Sequence, residues 1–169
     1  MWSTQSFKSL GISLLSAFLI FAAQIFSFAN STNNKSAIKV YHVKLSEDIQ
    51  PAAGRLIKNA FQAAYDSQAD IILIEINTYG GRVDIADSIR SSILYSEIPT
   101  IAFINNNAAS AGALISLACD SIYMKPGASI GAATVVDGAS GEQLPDKYQS
   151  YMRGMIRSTA ETKGRDPDI

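Results

Sequence analysis

IILIEINTYGGRVDIADSIRSSIL, residues 71–94, is the stretch that decides the fold. It opens with Ile71 to Ile76, a β-branched apolar run interrupted only by Glu75, the mark of a parallel strand largely covered on both faces. Asn77-Thr78-Tyr79-Gly80-Gly81 follows, a turn whose paired glycines let backbone N–H groups come close to a ligand. Val83, Ala86, Ile89, Arg90, Ile93 and Leu94 then recur at helical spacing, and Asp84 falls in the first turn, where the helix dipole favours an acid. Strand, glycine turn and helix in that order form one crossover unit of a parallel sheet.

The pattern continues on both sides. Downstream, Thr100 to Ile104 reads as a strand, Ser110 to Cys119 as a helix rich in small residues, and Ser121 to Met124 as a short strand. Upstream, Ile38 to Leu45 is a first strand, and Pro51 starts a helix with Ala53, Leu56, Ile57, Ala60, Phe61 and Ala64 on one face. The segment from Gly127 to Gly141 carries glycines at 127, 131, 138 and 141 and has the composition of a mobile loop. Pro145 starts a last helix whose apolar stripe is Tyr148, Tyr151, Met152, Met155, Ile156 and Thr159. The fold class is therefore α/β with a mostly parallel sheet.

Residues 1–29 have the layout of a signal peptide: Lys8 in a positive n-region, an apolar stretch from Leu10 to Ala23, and Ser27-Phe28-Ala29 as a cleavage site. An uncleaved N-terminal anchor is the alternative, and either reading exports the rest. Residues 30–35 form a polar linker, and residues 36–169 are expected to be one domain. Asp166-Pro167 suits a turn into a further element, so a truncated C-terminus is expected. A net charge of -1 with 17% charged residues gives no footprint for a nucleic-acid partner. Cys119 is alone, which excludes an internal disulfide or zinc framework, and its apolar helix makes it a buried thiol.

The chemistry centres on Asn107-Ala108-Ala109-Ser110-Ala111-Gly112, where Ser110 sits at a strand-to-helix junction. Serine is also a good N-cap, so its position alone is weak. Two successive strands that end in small-residue turns strengthen it, because ligands of parallel sheets collect outside the carboxyl ends of the strands. No segment has the spacing of a phosphate or dinucleotide loop. His42, the only histidine, lies inside the first strand and is read as a packed or partly exposed strand residue. A lysine is the alternative base, since burial brings an amine from a pKa of about 10.4 toward roughly 7 to 8. Lys125 follows the fourth strand, Lys163 is placed as a dipole partner at the end of the last helix, and Lys147 lies in that helix's first turn. Pattern favours Lys147 over Lys125.

Three motifs in order, Asn77-Thr78-Tyr79-Gly80-Gly81-Arg82-Val83-Asp84, Asn106-Asn107-Ala108-Ala109-Ser110-Ala111-Gly112 and Met124-Lys125-Pro126-Gly127-Ala128-Ser129-Ile130-Gly131-Ala132-Ala133, resemble the N-terminal protease domain of the NfeD family. These are membrane-associated serine proteases of the ClpP class within the ClpP/crotonase superfamily. The resemblance spans Ile38 to Arg165 and implies a ClpP/crotonase-like spiral of ββα-type units. It implies a Ser-Lys dyad, with Ser110 as nucleophile and Lys147, 17 residues before Gly164, as base. It also implies an oxyanion hole from the backbone N–H groups of Gly81, with Gly80, and of Ala111. Tyr79 stands where proline often precedes the glycine pair. Longer members continue into transmembrane helices and a small β-barrel.

The expected function is therefore a serine endopeptidase cleaving apolar peptide segments of membrane-associated proteins such as stomatin-like partners, without cofactor or metal. It would be exported, periplasmic or membrane-associated, and a homodimer or higher homo-oligomer. A non-catalytic exported peptide-binding module is the alternative. A crotonase-type acyl-CoA enzyme shares the paired N–H donors, but an export signal separates it from cytosolic thioesters.

Overall fold

A computed structural model describes residues 37–167; the expected signal peptide and linker lie outside the described residues. In chain order the elements are β1 (Val40–Leu45), α1 (Pro51–Asp66), β2 (Ile71–Thr78), α2 (Val83–Leu94), β3 (Thr100–Ala109), α3 (Ala111–Ala118), β4 (Ser121–Met124), β5 (Ser129–Gly131) and α4 (Asp146–Thr162). The strands form one sheet in the order β1-β2-β3-β4, with β5 also paired to β3, and every one of these ladders is parallel.

The core follows from strand alternation. Ile72, Ile74 and Ile76 of β2 are fully buried, in register with Tyr41, Val43 and Leu45 of β1 and with Thr100, Ala102 and Ile104 of β3. Burying an isoleucine of this kind contributes roughly 1.5–3 kcal/mol. Ile57, Ala60 and Ala64 of α1 and Ala86, Ile89 and Ile93 of α2 join the same cluster. Helix α3 packs against β3, α2 and α4, and Ala111 to Ser116 are all buried, as its all-round apolar composition requires.

The expectation of cover on both faces is corrected. Ile71, Leu73, Glu75 and Asn77 of β2 remain partly exposed, as do Ile101, Phe103 and Asn105 of β3. The core lies on one face only, and the other carries a mixed surface on which Glu75 accepts from Asn105 and pairs with His42. Leu56, expected in the stripe of α1, is 44% exposed. Tyr148 and Tyr151 likewise leave the core, at 44% and 60% exposure, because their side of α4 lines a groove and not the sheet.

Two features set up the site. Strand β3 runs five residues beyond the expected Ile104, and its register slips: Ile76 pairs with Ile104 but Thr78 with Ala108, which re-aims the end of the strand. At the opposite end of α3, Arg165 donates to the Leu117, Cys119 and Asp120 carbonyls, and Lys163 binds Asp120 at 2.6 Å. Burial pushes the Asp120 carboxyl up, but Lys163 and Thr100 outweigh it and hold the group below its ordinary range. The far end of α4 is thereby tied to α3.

Candidate functional site

Ser110 joins β3 to α3 with φ +53° and ψ −115°, a conformation L-residues rarely adopt and one that costs about 1–3 kcal/mol. Its neighbours enforce it. The Ser110 N–H donates to Gly131 O at 2.7 Å, which ties the junction to β5, and the Ser110 carbonyl accepts from Ala113 N–H at 3.0 Å to start the helix. A capping serine would turn its hydroxyl back onto the first helical amides, and here no side-chain cap bond forms. Half-buried Ser110 instead lines a groove of about 1240 Å³.

The glycine turn after β2 closes against this serine. A Cβ at Gly80 would stand 2.7 Å from Ser110 Cβ, and one at Gly81 would stand 2.5–2.9 Å from the Ile49 backbone, so side chains are barred from both. Their φ angles of +118° and +148° add the same requirement. Buried Thr78 organises the turn: its hydroxyl donates to Glu47 O at 2.8 Å and accepts from Gly80 N–H at 3.1 Å. Ile49 N–H donates to Gly80 O and Arg82 N–H donates to Ile49 O, both at 2.8 Å. In such a parallel bridge the peptide groups of the enclosed residue, Gly81, face away from Ile49, and Gly81 lines the groove. Gly80 N–H is thus engaged by Thr78. Ala111 N–H belongs to the first turn of α3, where helical amides have no intrahelical acceptor.

Of the lysines weighed from sequence, Lys147 is the one that shares the groove with Ser110. It stands exposed in the first turn of α4 with its ammonium 4.9 Å from the centre of the Tyr148 ring, and among the described residues no hydrogen bond joins it to Ser110. Lys125 lines a separate polar pocket with Asn77, Asn105 and Asn106, and Lys163 is held by Asp120. His42 contacts Glu75 on the open sheet face. The Cys119 thiol is pushed up to about 12 by burial, which leaves it unreactive.

Tyr79, Val83, Val135, Val136, Leu144 and Met152 make the groove walls largely apolar. Asp84, which lines the same groove, is taken up by Arg82 in a two-pronged pair of 3.0 and 2.7 Å, and that hydrogen bonding holds its carboxyl below the usual range. Among the described residues no three His, Cys, Asp or Glu side chains converge as a metal site, and no helix is long and apolar enough to cross a membrane. Thr78 and Ile49 were not singled out from sequence. A capping-type threonine two residues before a glycine pair was the one available signal.

Residues 39–169 match the family described as NfeD1b, N-terminal domain. Membrane protein NfeD1b of Bacillus subtilis is 38% identical over 128 residues, which are 76% of this chain and 29% of that protein. The membrane-bound protease PH1510 of Pyrococcus horikoshii is 37% identical over 113 residues, 63% of this chain and 26% of that one. A lysine-to-alanine mutant of the 1510-N membrane-bound stomatin-specific protease, solved in complex with a substrate peptide, has a TM-score of 0.74 at 31% identity over 79% of this chain and 64% of that one. ClpP1 from Listeria monocytogenes, at 23% identity and a TM-score of 0.60 over 76% of this chain and 75% of that one, shares the fold. The fold is thus ClpP-like, and the chain spans less than a third of the length of the two relatives, at 29% and 26%.

Proposed function

The chain belongs to the NfeD1b N-terminal-domain family, and on that premise we propose that it is a serine endopeptidase working through a Ser110–Lys147 dyad. The observation that carries this reading is a serine held in a strained backbone conformation at a helix start, whose hydroxyl does no capping and which lines a groove together with Lys147. Similarity to a membrane-bound protease supports the peptidase class. That relative has been solved both as a serine-to-alanine and as a lysine-to-alanine mutant.

In the proposed mechanism a peptide lies along the groove with its scissile carbonyl over Ser110. Covering the exposed Lys147 strips water from its ammonium, and desolvation disfavours the charged form. The neutral amine takes the Ser110 proton as Oγ attacks the carbonyl carbon. The oxyanion is held by the N–H groups of Gly81 and Ala111, while Gly80, engaged by Thr78, clears the space beside Ser110. Lys147 then protonates the leaving amine. A water that gives its proton to Lys147 hydrolyses the acyl-enzyme and regenerates Ser110.

The apolar walls suit extended apolar segments, and we place the substrates among membrane-associated proteins such as stomatin-like partners. The chain would act as an exported, membrane-associated homodimer or higher homo-oligomer, with no cofactor or metal. A small fluorophosphonate and a quenched apolar peptide test the reading together. The parent should be labelled at Ser110 and cleave the peptide, and Ser110→Ala should lose both, with cleavage falling by about a thousandfold or more. Equal cleavage by Ser110→Ala overturns it, and peptide binding without labelling or cleavage would instead identify a non-catalytic peptide-binding module.

A further inference from the structure

Gln149, at the end of the first turn of α4, is a polar side chain only 6% exposed. Both polar atoms of its amide are hydrogen-bonded. Nε2 donates to Val135 O at 2.7 Å and to Leu144 O at 3.0 Å, while Oε1 accepts from Val135 N–H at 3.0 Å. The side chain thus takes both peptide groups of one residue, as a neighbouring strand would. The hairpin from 135 to 144 completes the pattern, with Leu144 N–H donating to Val135 O and Asp137 N–H to Glu142 O.

This saturates one edge of the segment. In extended chain the peptide groups of successive residues point to opposite sides, so those of Thr134 and Val136 face away from Gln149 and the hairpin. Thr134, Val135 and Val136 line the groove that Gly81, Arg82 and Val83 also line. The same glutamine stands two residues from Lys147, so it ties this wall to the helical turn that carries the proposed base.

We propose that Gln149 is a positioning residue that turns the open edge of residues 134–136 toward the groove as a template for an extended peptide. The proposal rests on the Ser110–Lys147 peptidase reading. It predicts that Gln149 governs peptide affinity more than the reactivity of Ser110. In Gln149→Leu the KM of a short quenched peptide rich in Leu and Val should rise about tenfold, the effect of losing hydrogen bonds worth one such factor. The kcat should change less, labelling of Ser110 by a small fluorophosphonate should stay within about twofold, and amide exchange across 135–144 should quicken.

Gln149→Glu supplies the readout that a purely structural role would not move. It keeps the acceptor for Val135 N–H but sets a carboxylate against two carbonyl oxygens, and protonation restores a donor. Measured in a Ser110→Ala background and compared with the same background retaining Gln149, which cancels the pH dependence that Lys147 contributes, peptide affinity of the Glu variant should recover as pH falls. An unchanged KM in Gln149→Leu overturns the proposal, as does an equal loss of labelling and peptide turnover with a lowered Tm. A parent that neither cleaves the peptide nor is labelled refutes the peptidase reading and this proposal with it; a labelled, cleaving parent with an unaffected Gln149→Leu variant refutes this proposal alone.

Discussion

Ser110 and Lys147 share a groove, yet the molecule holds them by opposite means. On the serine side every position is over-determined: β3 hydrogen-bonds to both β2 and β5, Gly131 O fixes the Ser110 amide, and the Gly80–Gly81 turn is pressed between Ser110 and the Ile49 backbone. On the lysine side the far end of α4 is tied through Arg165 and Lys163, but its first two turns expose Lys147, Tyr148 and Tyr151 around one buried glutamine. Backbone donors work only if they are in place before charge develops, so their half of a site rewards rigidity. An amine that must lose its charge benefits from a setting that substrate can close.

The sharpest test of this contrast is Lys147→Ala. Peptide cleavage should fall by about 10²–10⁴-fold, while Tm stays within about one degree, since the side chain is exposed and its ammonium lies over its neighbour's ring. A large loss of stability would show that the lysine side is as tightly built as the serine side, and the contrast would collapse.

Gly81→Val probes the other half. Its Cβ would meet Ile49 N, C and O within 2.9 Å, and backbone atoms cannot swing aside as a side chain can. A cost of about 3 kcal/mol in urea unfolding is expected, with loss of Ser110 labelling. If the variant unfolds like the parent, the turn is not locked.

The smallest effect concerns the tether of α4. Asp120 is held below its ordinary pKa by Lys163 and Thr100 despite burial, so it contributes stability that is present above its unfolded value of about 3.9 and lost as pH falls through the lower folded one. Stability should therefore decline in acid below about pH 4. In Asp120→Asn that part of the acid dependence should vanish, at a cost near neutrality of about 0.5–1 kcal/mol after solvent screening. An unchanged acid limb in the variant would remove Asp120 from the tether.

Much of this was legible in the residues. The order of β1 to β4 and of the four helices followed from apolar periodicity and from the glycine and proline that punctuate it, and the Ser110 junction stood out for the same reason, whereas β5 lies in the segment read as a mobile loop. The second half of β3 was not legible, because Asn105 to Ala109 lack β-branched character and become strand only by pairing with β2 and β5. The apolar run of β2 could not reveal that one of its faces stays open. Tyr148 and Tyr151 match the stripe of α4 in spacing, and only the position of the groove shows that they leave the core. Gln149 carried no signal, since a lone polar residue announces neither its burial nor its partner.

The sequence by itself determined the order of β1 to β4 and of the four helices, where glycine must stand, and that the one histidine falls within a strand. Those are matters of near neighbours, settled by side-chain period and by allowed φ and ψ. Only the tertiary structure decided which lysine shares the groove with Ser110, that Gly80 N–H is already engaged, and that Gln149 is buried as a pin. Those outcomes depend on groups far apart in the chain, such as Thr78 and Glu47 across 31 residues, and no local pattern encodes where packing will bring such groups together.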